Sequence, residues 1–142
     1  MIVDSIVRAN IQQEWAGIIA LTKWSRGSAI PGGVYLSETP PESFFCLPLV
    51  LAYSTLDHVL GQFLDEKLFP CISGHGKNRL CRNLGDKMQS AKAAIHWHDF
   101  DLVEKGREAR NGIAHDNVLV EKSWCLKYID AVGAELRGWG LL

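Results

Sequence analysis

Apolar residues recur at three- and four-residue spacing through most of this chain, the period of an α-helix with one buried face. Val3, Val7, Ile11, Trp15, Ile18 and Ile19 follow it and predict an amphipathic helix over residues 2–24. Residues 25–38 contain Arg-Gly-Ser and Pro-Gly-Gly and read as loop. Thr39-Pro40-Pro41-Glu42 then predicts a helix start, because threonine caps, proline suits a first turn and glutamate completes a capping box. The stretch to about Leu68 is strongly apolar, with Leu51, Leu56, Leu60, Phe63 and Leu64 prominent. Pro48 removes a hydrogen bond and crowds the turn before it, so the expectation is a kink or a short helix followed by a long one. Pro70 and Ser73-Gly74-His75-Gly76 end that stretch.

The cleanest period lies in residues 77–95, where Leu80, Leu84, Met88, Ala91 and Ile95 predict a third helix weakened only by Gly85. A turn around His98-Asp99 precedes a fourth helix over 100–114, with Asp99 or Asp101 placed where negative charge suits the helix dipole. The last runs from about Val118 to Gly138, with Cys125, Ile129, Val132 and Leu136 on one face. Val34-Tyr35-Leu36 is the lone strand candidate, and it is short. The expected fold is an all-α bundle of four to five helices, one domain over 1–142. Its core spans about 40–138, and the helix over 2–24 packs on it.

Composition narrows the function classes. At 142 residues, 47% hydrophobic and 22% charged, the chain can bury a core of its own. A formal net charge of -1 gives no global attraction to nucleic acid, so an RNA-binding surface would need its cations gathered locally. Lys77, Arg79, Arg82, Lys87 and Lys92 along the third helix could form such a strip, or simply its solvated face. Cys46, Cys71, Cys81 and Cys125 are far apart and form no C-x-x-C pair, which reads as reduced, buried thiols. No signal peptide is visible and no apolar run approaches the roughly 20 residues of a membrane helix, so a cytoplasmic protein is expected.

The chemistry concentrates in Arg110-Asn111-Gly112-Ile113-Ala114-His115. The arginine stays charged at any relevant pH, and a histidine with a pKa near ~6.5 exchanges protons at neutrality. Together they suit the stabilisation and protonation of a phosphoryl group. Equally, Arg110 and His115 could be dipole-compensating residues at a helix C-terminus, with Asn111-Gly112 as the cap.

The hexapeptide resembles the R-x4-6-H signature of the HEPN superfamily, in its form with asparagine after the arginine. The helix carrying Tyr53-Ser54-Thr55-Leu56-Asp57-His58 is similar to that family's long early core helix. The resemblance implies an all-α bundle and metal-independent endoribonuclease activity in a toxin–antitoxin, antiviral or stress system. It also implies a homodimer whose two motifs face each other across a twofold axis. Cleavage through the RNA's own 2'-hydroxyl needs a base, an acid for the leaving 5'-oxygen and positive charge on the phosphate. A twofold dimer supplies two histidines for the two proton transfers. On this reading His115 is the acid/base, Arg110 steadies phosphorane charge, and Asn111 orients the phosphate or the imidazole. Asp116 would hold the ring tautomer. Lys77, Arg79, Arg82 and Asp116 complete the expected substrate-binding set, with RNA as partner and an antitoxin or regulatory protein as a further one.

The pattern departs from the nucleotidyltransferase-paired toxins at Asn117, where those carry a modifiable tyrosine two residues past the histidine. The family also has members that only bind RNA or protein, or only dimerise, and that is the alternative function. His96-Trp97-His98, with His75 or Cys71, matches no zinc spacing, so neither metal nor cofactor is expected. Trp15, Trp24, Trp97 and Trp124 read as packing residues, and Trp139 as a candidate interface residue. No G-x-G-x-x-G, Walker-type loop or G-x-S-x-G is present.

Overall fold

The computed structural model describes residues 2, 4–23, 40–72 and 81–142, and these form an all-α bundle with no strand among them. Five α-helices occur in the described residues: α1 (Ser5–Thr22), α2 (Cys46–Asp65), α3 (Leu84–Ala91), α4 (Phe100–Asp116) and α5 (Lys122–Gly138). The strand candidate at 34–36 lies outside the described residues, as do Trp24 and residues 77–80 of the expected third helix.

α1 starts where Asp4 accepts hydrogen bonds from the Ile6 and Val7 amides, satisfying donors that the first turn leaves open. Ile11, Trp15 and Ile18 form its buried stripe. A 3-10 turn over Glu42–Phe45 leads into α2, so the chain takes the short-then-long course that Pro48 suggested. Pro48 is the third residue of α2, where an amide would have no intrahelical partner, and it costs no hydrogen bond there.

Glu42–Asp65 spans 24 residues and is by length and composition apolar enough to cross a membrane, which corrects the expectation that nothing here approaches that length. Over half of its most apolar window, 56%, is buried inside the bundle. α2 packs against α1, α3, α4 and α5, and a helix surrounded in this way must be apolar on most of its circumference. Leu49, Ala52, Tyr53, Leu56, Val59 and Leu60 are all fully buried along it.

The third helix is shorter than its periodicity suggested. Residues 81–83 are not helical, Asn83 caps α3 by accepting from the Asp86 amide, and residues 92–95 form a turn. A disulfide between Cys71 and Cys81, with Cα atoms 5.7 Å apart, ties the segment before α3 to the segment after α2. This corrects the reading of four free thiols: only Cys46 and Cys125 are unpaired, and both are buried. Ser90 on α3 receives both ends of the bridge, accepting from the Ile72 amide and meeting Cys81 Sγ at 3.3 Å.

α4 crosses α2 and α5 at Gly106. A Cβ there would lie within 2.9 Å of Tyr128 and would overlap the Tyr53 hydroxyl, so no larger residue fits without displacing a helix. Tyr53 donates to the Val103 carbonyl at 2.7 Å, and burial, then the neighbouring Tyr128 and Glu104, hold its phenol protonated well above the ordinary range.

Two glycine-to-alanine changes therefore have opposite signs. Gly106→Ala should lower unfolding free energy by about 2–3 kcal/mol through overpacking. Gly17→Ala, where a Cβ meets nothing within 4 Å, should raise it by about 0.5–1 kcal/mol; chemical denaturation reads both. Thiol titration under non-reducing conditions should find almost no reactive cysteine in the native protein, two on unfolding, and four after reduction. Cys125 is pushed up to about 12 from 9.0, first by burial and then by Cys46. Because the folded state favours its protonated form, that stabilisation is complete below pH 9 and is lost as pH rises toward 12.

Candidate functional site

α4 carries the hexapeptide in its last two turns, and both ends of the helix are set by contacts that the sequence pattern did not reveal. At its start Asp99 caps the helix by accepting from the Leu102 amide at 3.0 Å. Glu135 of α5, 1% exposed, reaches across and accepts from the His98 and Asp99 amides, each at 2.7 Å. A buried carboxylate is tolerable only when its oxygens are occupied, and these two amides occupy one oxygen each. The Trp139 indole donates to the His96 carbonyl at 2.7 Å, and Trp97 packs edge-to-face on Trp139 and Phe100. Trp139, considered above as an interface residue, is thus half-buried within the chain's own fold.

At its other end α4 continues through the whole motif to Asp116. Asn117 adopts a left-handed conformation with φ of 52° and ends the helix there. Asparagine tolerates this conformation better than most residues. The Asn111-Gly112 pair is therefore interior helix and not the cap. Asn117, two residues past His115, is the residue that reverses the chain.

Within the motif, Asn111 and His115 are four residues apart and share a ridge of the helix. Arg110 joins them through a hydrogen bond from its Nη1 to Asn111 Oδ1 at 3.1 Å. Arg110 Nε is buried with no hydrogen-bond partner, and among the described residues no carboxylate pairs with this guanidinium. Its neighbour Arg107 differs: it makes two hydrogen bonds to Glu104, at 2.6 and 2.9 Å, and these raise its pKa further. His115 and Asp116 are exposed, and among the described residues no hydrogen bond joins Asp116 to the imidazole.

Of the expected basic strip, Arg82, Lys87 and Lys92 lie in the described residues. Lys77 and Arg79 lie outside the described residues, and Arg82 is exposed just before the Asn83 cap. Lys87 is bound to Asp57 at 2.7 Å, and Lys92 sits 4.7 Å from the Phe100 ring centre. The start of α3 does approach the motif helix, since the Arg107 guanidinium and Asn83 Oδ1 both lie near Gly85. His96 and His98 are at the opposite end of α4 from His115, about 24 Å away at 1.5 Å per residue. They cannot lend charge to the motif. No group of three or more metal-ligating side chains occurs among the described residues.

Sequence reasoning passed over two features. Trp124, expected to pack, is 44% exposed, and Val118 and Leu119 of the α4–α5 connection are exposed as well. In addition, a groove of about 510 Å³ between α1 and α2 is lined by Glu14, Ile18, Leu51, Thr55 and His58, among others. Glu14 Oε2 lies 3.4 Å from Thr55 Oγ1 and 3.9 Å from His58 Nδ1. The signal for it was a polar run, Ser54, Thr55 and His58, on an otherwise apolar helix. No motif residue lines this groove.

Compared with known protein families, curated proteins and solved structures, the chain matches none.

Glu135→Ala should weaken the start of α4 and lower stability by about 1–3 kcal/mol, because two amides lose their acceptor. Hydrogen exchange at residues 98–103 should accelerate more than exchange in α5, and Glu135→Gln, which keeps an acceptor oxygen, should be milder.

Proposed function

We propose that the protein is a metal-independent endoribonuclease of HEPN type, acting as a homodimer. The observation that supports this best is the arrangement in the last turns of α4. An exposed histidine shares a helix ridge with an asparagine, and that asparagine accepts from an arginine with no carboxylate partner among the described residues. A dipole-compensating role alone would leave Asn111 without a part to play.

In the proposed reaction the 2'-oxygen attacks the adjacent phosphorus as one His115 accepts its proton. The P–O5' bond then breaks as a second His115, supplied by another copy of the chain, protonates the leaving oxygen. The products are a 2',3'-cyclic phosphate and a free 5'-hydroxyl. Arg110 balances the charge that builds on the non-bridging oxygens, and Asn111 fixes the direction of the guanidinium. His115 at the exposed end of α4 is open to both a substrate and a second copy.

A non-catalytic binding or dimerisation module is the second reading. Its support is the exposure of three apolar side chains that follow the motif in the chain, Val118, Leu119 and Trp124, where a nuclease gathering phosphate would be expected to present cations.

RNA cleavage in excess EDTA separates the two. The nuclease should cut, leave 2',3'-cyclic phosphate ends, and lose at least about 100-fold in rate on His115→Ala. If wild type cuts no RNA, yet sediments as the same stable dimer as the variant, the enzymatic reading is wrong and the binding reading stands.

A further inference from the structure

Gly106 on α4 faces Tyr128 on α5, with only 2.9 Å between a Cβ at that position and the Tyr128 ring. The two helices are consecutive, joined by residues 117–121, and pack against one another, so they run antiparallel. Moving four residues toward the connection from this contact reaches Arg110 on α4 and Trp124 on α5. Both stay on the seam, because residues four apart share a helix face. Trp124 and Tyr128 are stacked, with ring centres 5.6 Å apart and an angle of 30°. Position 124 is thus level with position 110 along the two helices.

Trp124 is unlike the other described tryptophans. Trp15 is buried, and the Trp97 and Trp139 indoles donate to carbonyls. Trp124 is 44% exposed, and its ring is supported by Tyr128 and carries Lys127 Nζ 4.8 Å from its centre. An indole backed by a second ring, with an ammonium at its face, combines the two elements that hold a single-stranded nucleotide. Those elements are a flat π surface for the base and a mobile cation for its phosphate. A paired base inside a duplex has no free face to offer.

Resting on the nuclease reading above, we infer that Trp124 is the platform on which an unpaired RNA base stacks next to the scissile phosphate, with Lys127 exchanging the ring for that nucleotide's phosphate. The substrate is then single-stranded or looped RNA. The platform selects by strand state and not by base identity, since every base has a π face.

The test uses the full-length His115→Ala protein, so that binding is measured without cleavage, at low salt. The probe is a fluorescein-labelled RNA oligonucleotide, either alone or annealed to its complement. The single strand should bind more tightly than the duplex. Trp124→Leu in the same background should weaken single-strand binding by about 5- to 100-fold and leave the weak duplex binding unchanged, while Trp124→Phe should retain most of the affinity. Unchanged single-strand binding in Trp124→Leu would overturn the platform and leave the nuclease reading intact. So would an equal loss for both RNA forms. A shift from dimer to monomer in Trp124→Leu, read by sedimentation, would assign the indole to a protein interface instead. If the parent protein binds neither RNA form, the nuclease reading itself fails, and the inference falls with it.

Discussion

The seating of α4 depends on one buried hydroxyl. Tyr53 lies in the middle of the most enclosed helix of the bundle, and its phenol cannot reach water. It must find an acceptor inside the protein, and it uses the Val103 carbonyl at 2.7 Å. To do so it has to reach the α4 backbone, and it reaches it beside a residue that lacks a side chain, Gly106. A polar requirement and a steric opening meet at the same turn of α4. Together they set where that helix crosses α2 and α5, and hence where its last two turns emerge.

From that crossing the site follows by helix geometry. Glu135 holds the amides before α4, and the Trp97–Trp139–Phe100 cluster packs the same end against the body of the protein. The opposite end protrudes as far as Asn117, whose left-handed conformation turns the chain back into α5. The motif thus occupies the freest part of a helix anchored firmly elsewhere. The α4–α5 connection is itself tied to the core, since the buried Cys46 and Cys125 thiols both contact the Val120 carbonyl.

Much of this organisation was legible along the chain. The apolar stripes of α1, α2 and α5 and the acidic start of α4 are local properties of a 3.6-residue period and of helix capping. The third helix was misjudged for a physical reason. Its periodicity continues into residues whose backbone is committed elsewhere, to the Cys71–Cys81 bridge and the Asn83 cap. Period reports which residues want one face buried, not whether the backbone between them is free to coil. Charge along a helix has the same limit. Lys87 and Lys92 are basic in sequence but engaged in space, with Asp57 and with Phe100.

By itself, the sequence determined the all-α class and the positions of four of the five helices. Each depends on neighbours within a turn or two. Only the tertiary structure decided that Cys71 and Cys81 are bonded, that Glu135 caps a helix 36 residues away, and that Trp124 stands exposed against Tyr128. Those outcomes depend on which helix faces meet. That is set by the crossing at Gly106 and by the volume and hydrogen-bonding demands of residues far apart in the chain, which no local pattern encodes.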